Sequence, residues 1–161
     1  MPNLIKNNQI TVDAWEVVAK DEVATNNDQI FLPLAQIDDV KTLITSGKQA
    51  GVWLDSDTDY EQLTAISKNV SVIAINFPKF ADGRGYSLAR ILRDQCKYTG
   101  ELRAIGDVLL DQVFFMSRVG FDAYSLRDDK DAQKVQAMLE TFSESYQTSV
   151  DQPIPLFKRR G

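Results

Sequence analysis

VSVIAINF, residues 70–77, is apolar at nearly every position and rich in β-branched side chains. A strand with one wet face alternates apolar and polar residues, whereas an unbroken apolar run of this length predicts a strand covered on both faces, as in a parallel sheet. The flanking segments agree with that reading. GVWL, residues 51–54, is a compact apolar strand upstream, and LRAIG, from Leu102, is another downstream.

Between these runs the spacing changes to that of helices. One helix is expected from about Asp59, with Leu63 and Ile66 on one face. A second is expected over about Tyr86–Lys97, with Leu88, Ile91, Leu92 and Gln95/Cys96 inward and Arg90, Arg93, Asp94 and Lys97 outward. A third begins after Asp107 and ends near Gly120, followed by FDAYSL as a last strand. Lys130–Tyr146 reads as the last helix, aligning Val135, Met138, Leu139, Phe142 and Tyr146.

Upstream, Asp38–Ser46 carries Val40, Leu43 and Ile44 at helical spacing, with Gly47 as a stop. IFLPL, from Ile30, is a short strand that Pro33 assigns to an edge or a strand end. The first 35 residues read as strands separated by turns, QITVDAWEVV bending at Asp13-Ala14 and Thr25–Asp28 forming a loop. This alternation predicts an α/β fold with a mainly parallel sheet of βα units preceded by short N-terminal strands. An open three-layer sheet is the first reading and a partial TIM-like barrel the alternative; periodicity does not separate the two. The expected organisation is one α/β domain over residues 1–146 and a C-terminal tail over residues 147–161.

Composition narrows the function classes. The chain of 161 residues has 43% hydrophobic and 25% charged residues, ordinary values for a globular domain with its own core. Its net charge is −5; without Lys158, Arg159 and Arg160, 15 basic residues face 23 acidic ones, a net −8. Such a surface repels phosphate backbones and anionic bilayers, so neither nucleic acid nor membrane is an expected partner. The start, MPNLIKNNQITV, has no signal-peptide pattern, and no apolar run approaches the roughly 20 residues of a spanning helix. With one cysteine, Cys96, and hence no internal disulfide, the expectation is a cytoplasmic protein. The absence of histidine removes Ser-His-Asp and Cys-His sites and nearly all zinc and haem ligation.

Ligands of parallel α/β folds bind beyond the carboxyl ends of the strands. There this chain places Asp55, Asp57 and Asp59, then Lys79, Asp82, Arg84 and Tyr86, then Asp107 and Asp111, and last Arg127, Asp128 and Asp129. DSDTDYE, residues 55–61, lacks the glycine and glutamate of a calcium loop and is read as a turn with a helix cap. FADGRGYSLAR, residues 80–90, holds Gly83-Arg84-Gly85 where a helix begins. A third glycine and a Walker ending are both missing, so no nucleotide fingerprint is present.

What remains is generic anion chemistry: glycines that permit unusual backbone angles, helix N-terminal amides and a guanidinium. The competing reading pairs Arg84 with Asp82 or Asp107 and leaves the glycines to the turn. Asp107 and Asp111, four apart, would share a helix face as a carboxylate pair if both are helical, although Asp107 alone reads as an N-cap. Phe114, Phe115 and Met116 cannot all face one core, so Phe115 marks a subunit or partner contact, with a homo-oligomer among the expectations. Cys96 reads as a packed, unreactive thiol.

The blocks GVWLDSD, FADGRGYSLARILRD and YTGELRAIGDVLLDQVFFMSRVGFDAY, in this order, resemble the bacterial DUF934 family. Proteins of that family are often labelled oxidoreductases of sulfite reduction, on the strength of neighbouring genes for assimilatory sulfite reductase. The resemblance therefore implies an accessory protein of sulfite or sulfate reduction that binds an oxyanion or docks to a sulfite reductase subunit. A catalytic reductase subunit would need cluster and siroheme ligands, which one cysteine and no histidine cannot supply. The alternative is a small oxidoreductase-type enzyme with a borrowed flavin or nicotinamide cofactor; the cofactor is not identified. The positions matching the family blocks are Asp82, Gly83, Arg84, Gly85, Ser87, Gly106, Asp107, Asp111 and Gln112. Lys79, Arg84 and the amides near Gly85 are assigned to an anion, with Asp107 and Asp111 orienting it and Gln112 beside them.

Overall fold

The computed structural model describes residues 3–7, 9–22, 28–77, 83–108, 112–126, 133–138 and 140. Its centre is a sheet of eight strands: β1 (Asn3–Lys6), β2 (Gln9–Val12), β3 (Glu16–Val17), β4 (Gln29–Pro33), β5 (Gln49–Asp55), β6 (Val72–Phe77), β7 (Glu101–Gly106) and β8 (Ala123–Leu126). The helices are α1 (Ile37–Thr45), α2 (Leu63–Asn69), α3 (Gly83–Asp94), α4 (Val113–Val119) and α5 over residues 133–138. Short 3-10 turns at Leu34–Gln36 and Tyr60–Gln62 lead into α1 and α2. Asp59 caps the second by accepting a hydrogen bond from the Glu61 amide at 3.2 Å, as the turn reading of DSDTDYE expects.

From β4 to β8 each strand pairs in parallel with the one before it, and β1 joins β8 and β2 antiparallel, giving the order β2-β1-β8-β7-β6-β5-β4-β3. One helix lies between each consecutive pair from β4 to β8, whereas β1, β2 and β3 follow one another without one among the described residues. A sequential order means that every crossover steps the same way, and right-handed crossovers then place all helices on one face. The core agrees. Val40, Leu63, Ile66, Leu88, Leu92, Val113, Met116 and Val135 from the helices meet Leu32, Val52, Leu54, Ile73, Ile75, Leu102, Ala104 and Tyr124 from the strands. The opposite face carries a smaller cluster of Phe31, Trp53, Ala74 and Ile105, with Trp15 and Val72 against it.

That second face is closed by curling of the sheet. A flat sheet of eight strands separates its edges by about 34 Å, seven spacings of about 4.8 Å. Here β2 is one edge and β3 the other. Only Asp13, Ala14 and Trp15 lie between them, four Cα steps that reach at most about 14 Å. The two edges are thus held near each other by a three-residue strap. The open three-layer expectation gives way to its alternative: a curled, mostly parallel sheet that fits a partial barrel, helices outside.

The enclosed face contains a charge network. Arg103, on β7, is 2% exposed. It donates through Nε to Glu101 at 2.7 Å and through Nη1 to Asp13 of the strap at 3.2 Å. Its guanidinium lies 5.2 Å from the ring centroids of both Trp15 and Phe31. Ser125 donates to the other Asp13 oxygen at 2.8 Å, and Lys6 reaches Glu101 at 2.8 Å. Burying one charge alone costs several kcal/mol, which is why this guanidinium is found with both carboxylates.

Arg93 also departs from expectation. Expected on the wet stripe of its helix, it instead donates to the carbonyls of Gly120, Tyr98 and Gly100 at 2.8–2.9 Å and sits 3.6 Å from Asp122. It ties the end of α3 to the turns that enter β7 and β8. Cys96, half-buried after α3, has its sulfur 3.8 Å from Thr64 Oγ1.

Candidate functional site

In a parallel sheet closed this way, ligands are met at the rim formed by the carboxyl ends of the strands. Asp55 ends β5 and is the register partner of Asn76 on β6; Asn76 in turn pairs with Ile105 on β7. By alternation Trp53, Asp55, Asn76 and Ile105 face the enclosed side. Lys20, beyond β3, reaches over this rim to Asp55 at 2.6 Å and lies 5.9 Å from the Trp53 ring centroid. The Asp55 carboxylate raises the Lys20 ammonium pKa by hydrogen bonding and by charge. Trp53 donates its indole N–H to the Val18 carbonyl at 2.8 Å, fixing the ring under the rim.

Six of the residues expected from sequence are described: Gly83, Arg84, Gly85, Ser87, Asp107 and Gln112. Gly83, Arg84, Gly85 and Ser87 lie within α3 itself, not in a loop before it, because the helix spans Gly83–Asp94 and does not wait for Tyr86. The glycine argument changes accordingly. Neither Gly83 nor Gly85 uses a left-handed angle. A Cβ on Gly85 would sit 2.7 Å from Phe77 Cε1, so this glycine lets α3 lie directly on the end of β6. Gly106 is the position that needs the freedom: its φ is +88°, and a Cβ there would overlap the Phe77 carbonyl and the Asn76 side chain.

Arg84 is exposed at the start of α3, and Ser87 spends its hydroxyl on a long 3.4 Å contact to the Gly83 carbonyl. Asp107 follows Gly106, its amide donating to the Phe77 carbonyl at 2.9 Å, which brings it to the same strand end. Arg84 and Asp107 both have interaction partners of their own. Gln112, just before α4, accepts the Tyr86 hydroxyl at 2.8 Å. Tyr86 packs on Phe77 at 5.3 Å and edge-on to Phe115 at 4.8 Å. These ring contacts join α3, β6 and α4.

Two expectations change here. Asp107 does not cap α4, whose N-cap residue is Gln112, and it lies outside that helix, so the four-residue spacing to Asp111 does not put the pair on one helix face. Lys79, Asp82 and Asp111, like Arg127, Asp128 and Asp129, lie outside the described residues. Phe114, Phe115 and Met116 do diverge: Met116 is buried and Phe115 is 51% exposed. Residues missed by sequence reading are Lys20, Trp53 and Asn76; the usable signal was their place at the carboxyl ends of β3, β5 and β6.

A separate cleft of about 670 Å³ opens beside Asp55, between α1 and the segment from Glu61 to Asn69. Among the described residues there is no cluster of metal-ligating side chains and no helix long and apolar enough to cross a membrane.

Fold and rim together define an α/β protein with a curled parallel sheet and a polar rim at its strand ends. The sequence model of the family described as "Bacterial protein of unknown function (DUF934)" matches residues 51–157, and the chain belongs to that family. No curated protein matches it.

Proposed function

We propose that this protein is an accessory of assimilatory sulfite reduction that holds a small oxyanion at the β6–β7 rim and docks to the reductase beside it. One observation carries the reading: Gly85, next to Arg84 in α3, lies against Phe77 at the end of β6, the Asp107 amide donates to the Phe77 carbonyl, and Gln112 accepts from Tyr86, which packs on Phe77. A guanidinium binds an oxyanion through two parallel hydrogen bonds, and the rim of a parallel sheet presents backbone amides beside it. Phe115, exposed next to Tyr86, gives the docking face an aromatic anchor. The assignment to sulfur chemistry rests on the family resemblance.

The test is growth of a deletion strain on sulfate, sulfite, sulfide or cysteine as the sulfur source, with wild-type or Arg84→Ala protein restored. Failure on sulfate and sulfite alone, rescued by wild type and not by a folded Arg84→Ala protein, supports the proposal. Normal growth of the deletion strain on sulfite overturns it. Rescue by Arg84→Ala removes the oxyanion from the reading.

A further inference from the structure

We infer that the cleft between α1 and α2 is a second binding site, for a small zwitterion with an apolar body: an apolar amino acid or a short apolar peptide. The cleft's volume of about 670 Å³ lies within the range of small-molecule sites. Its floor is apolar, formed by Pro33, Leu34, Ile37, Ala65 and Ile66, with Trp53 at the rim end. Such a surface stays in contact with water unless something apolar covers it.

The charges around that floor decide the ligand class. Four ionic side chains line the cleft: Lys20, Lys41, Asp55 and Glu61. Lys20 and Asp55 neutralise each other at 2.6 Å. Lys41 stands on α1 and Glu61 on the opposite wall, and among the described residues neither forms an ion pair. Asn69, also in the lining, donates its amide nitrogen to the Ala65 carbonyl at 2.6 Å.

The lining is thus neutral overall, with one cation and one anion on facing walls. A polyanion such as a nucleotide would meet a lining with no net positive charge, two ammoniums against two carboxylates, which disfavours it. A zwitterion can place its carboxylate towards Lys41, its ammonium towards Glu61, and its side chain on the aliphatic floor. This site is distinct from the β6–β7 rim and does not depend on the function proposed for it.

The experiment is titration calorimetry of the full chain with L-leucine, L-phenylalanine and leucyl-leucine, alongside isopentylamine and 4-methylpentanoate, which each carry only one of the two charges. Both test positions are exposed side chains, so Lys41→Met and Glu61→Gln should fold normally, which circular dichroism checks. Saturable binding of an amino acid or the dipeptide, weakened about tenfold or more by each substitution and by loss of either ligand charge, supports the inference. Preference between leucine and leucyl-leucine identifies the source. Equal binding of the singly charged analogues, unchanged affinity in both variants, or no saturable binding up to about 10 mM overturns it.

Discussion

Asp13 and Arg103 are 90 residues apart in the chain, yet their carboxylate and guanidinium meet at 3.2 Å inside the curled sheet. The contact joins the strap between the two sheet edges to the strand at the middle of the enclosed face. Arg103→Ala leaves the Asp13 carboxylate buried with no cation and Glu101 with Lys6 alone, and we expect it to destabilise the fold by about 3–5 kcal/mol. Arg103→Met combined with Asp13→Asn and Glu101→Gln should recover a large part of that loss, because no buried charge is then orphaned. Urea unfolding of the three proteins measures both. A loss below about 1 kcal/mol for Arg103→Ala would mean that the network contributes little.

The three glycines of the rim should respond differently to alanine. Among the described residues nothing lies within 4 Å of a Cβ on Gly83, so Gly83→Ala should be neutral or stabilising by up to about 1 kcal/mol. Gly85→Ala forces a methyl group into the Phe77 ring and should cost about 1–3 kcal/mol. Gly106→Ala combines overlap with a positive φ and should be the worst of the three. Thermal denaturation ranks them, and a Gly83 variant as damaged as Gly106→Ala would contradict the geometry.

Tyr86→Phe removes the hydrogen bond to Gln112 and keeps both ring contacts. The expected loss is about 0.5–1.5 kcal/mol, with the near-ultraviolet dichroism of the remaining aromatic residues preserved. Tyr86→Ala should lose several times more, since it also removes the packing between Phe77 and Phe115. Equal losses for the two variants would place all the stabilisation in the hydroxyl.

Burial raises the Asp122 carboxyl pKa above its ordinary value, against the opposing pull of the Leu102 amide and the Arg93 guanidinium. A raised folded value means that folding favours the protonated form. That contribution is complete below the unfolded value, about 3.9, and is lost as pH rises through the folded one. Asp122→Asn never ionises and keeps an acceptor for Leu102. Its stability relative to wild type should therefore increase as pH is raised from about 4 to about 7. Guanidinium titrations at several pH values provide the comparison; a difference that is flat or falls with pH contradicts the assignment.

The strands β5 and β6 were legible in the sequence because burial on both faces leaves continuous apolar runs, β7 and β8 as short segments between helical spacings, and α1 and α2 because their spacing is helical. The curl was not legible. It depends on β1 pairing with β8 and on the strap spanning the two edges, and neither long-range pairing leaves a local pattern. Arg103 shows the limit most clearly: nothing in LRAIG or beside it announces Asp13, 90 residues away. At the candidate rim, the sequence reading treated Gly83-Arg84-Gly85 as a loop, whereas all three lie within α3. The close approach of Phe77 explains Gly85 and is visible only once α3 is laid on β6.

The order of strands also sets a timetable for synthesis. Each strand from β4 to β8 pairs with the strand made just before it, so the parallel part of the sheet can grow as the chain emerges. The β1–β2 hairpin, made first, has to wait for Ala123–Leu126 before Asn3–Lys6 finds its partner. A ribosome-bound chain that has not yet reached β8 therefore carries an unmatched hairpin at its front. During synthesis the β1 edge of the enclosed interior therefore stays open until β8 is made.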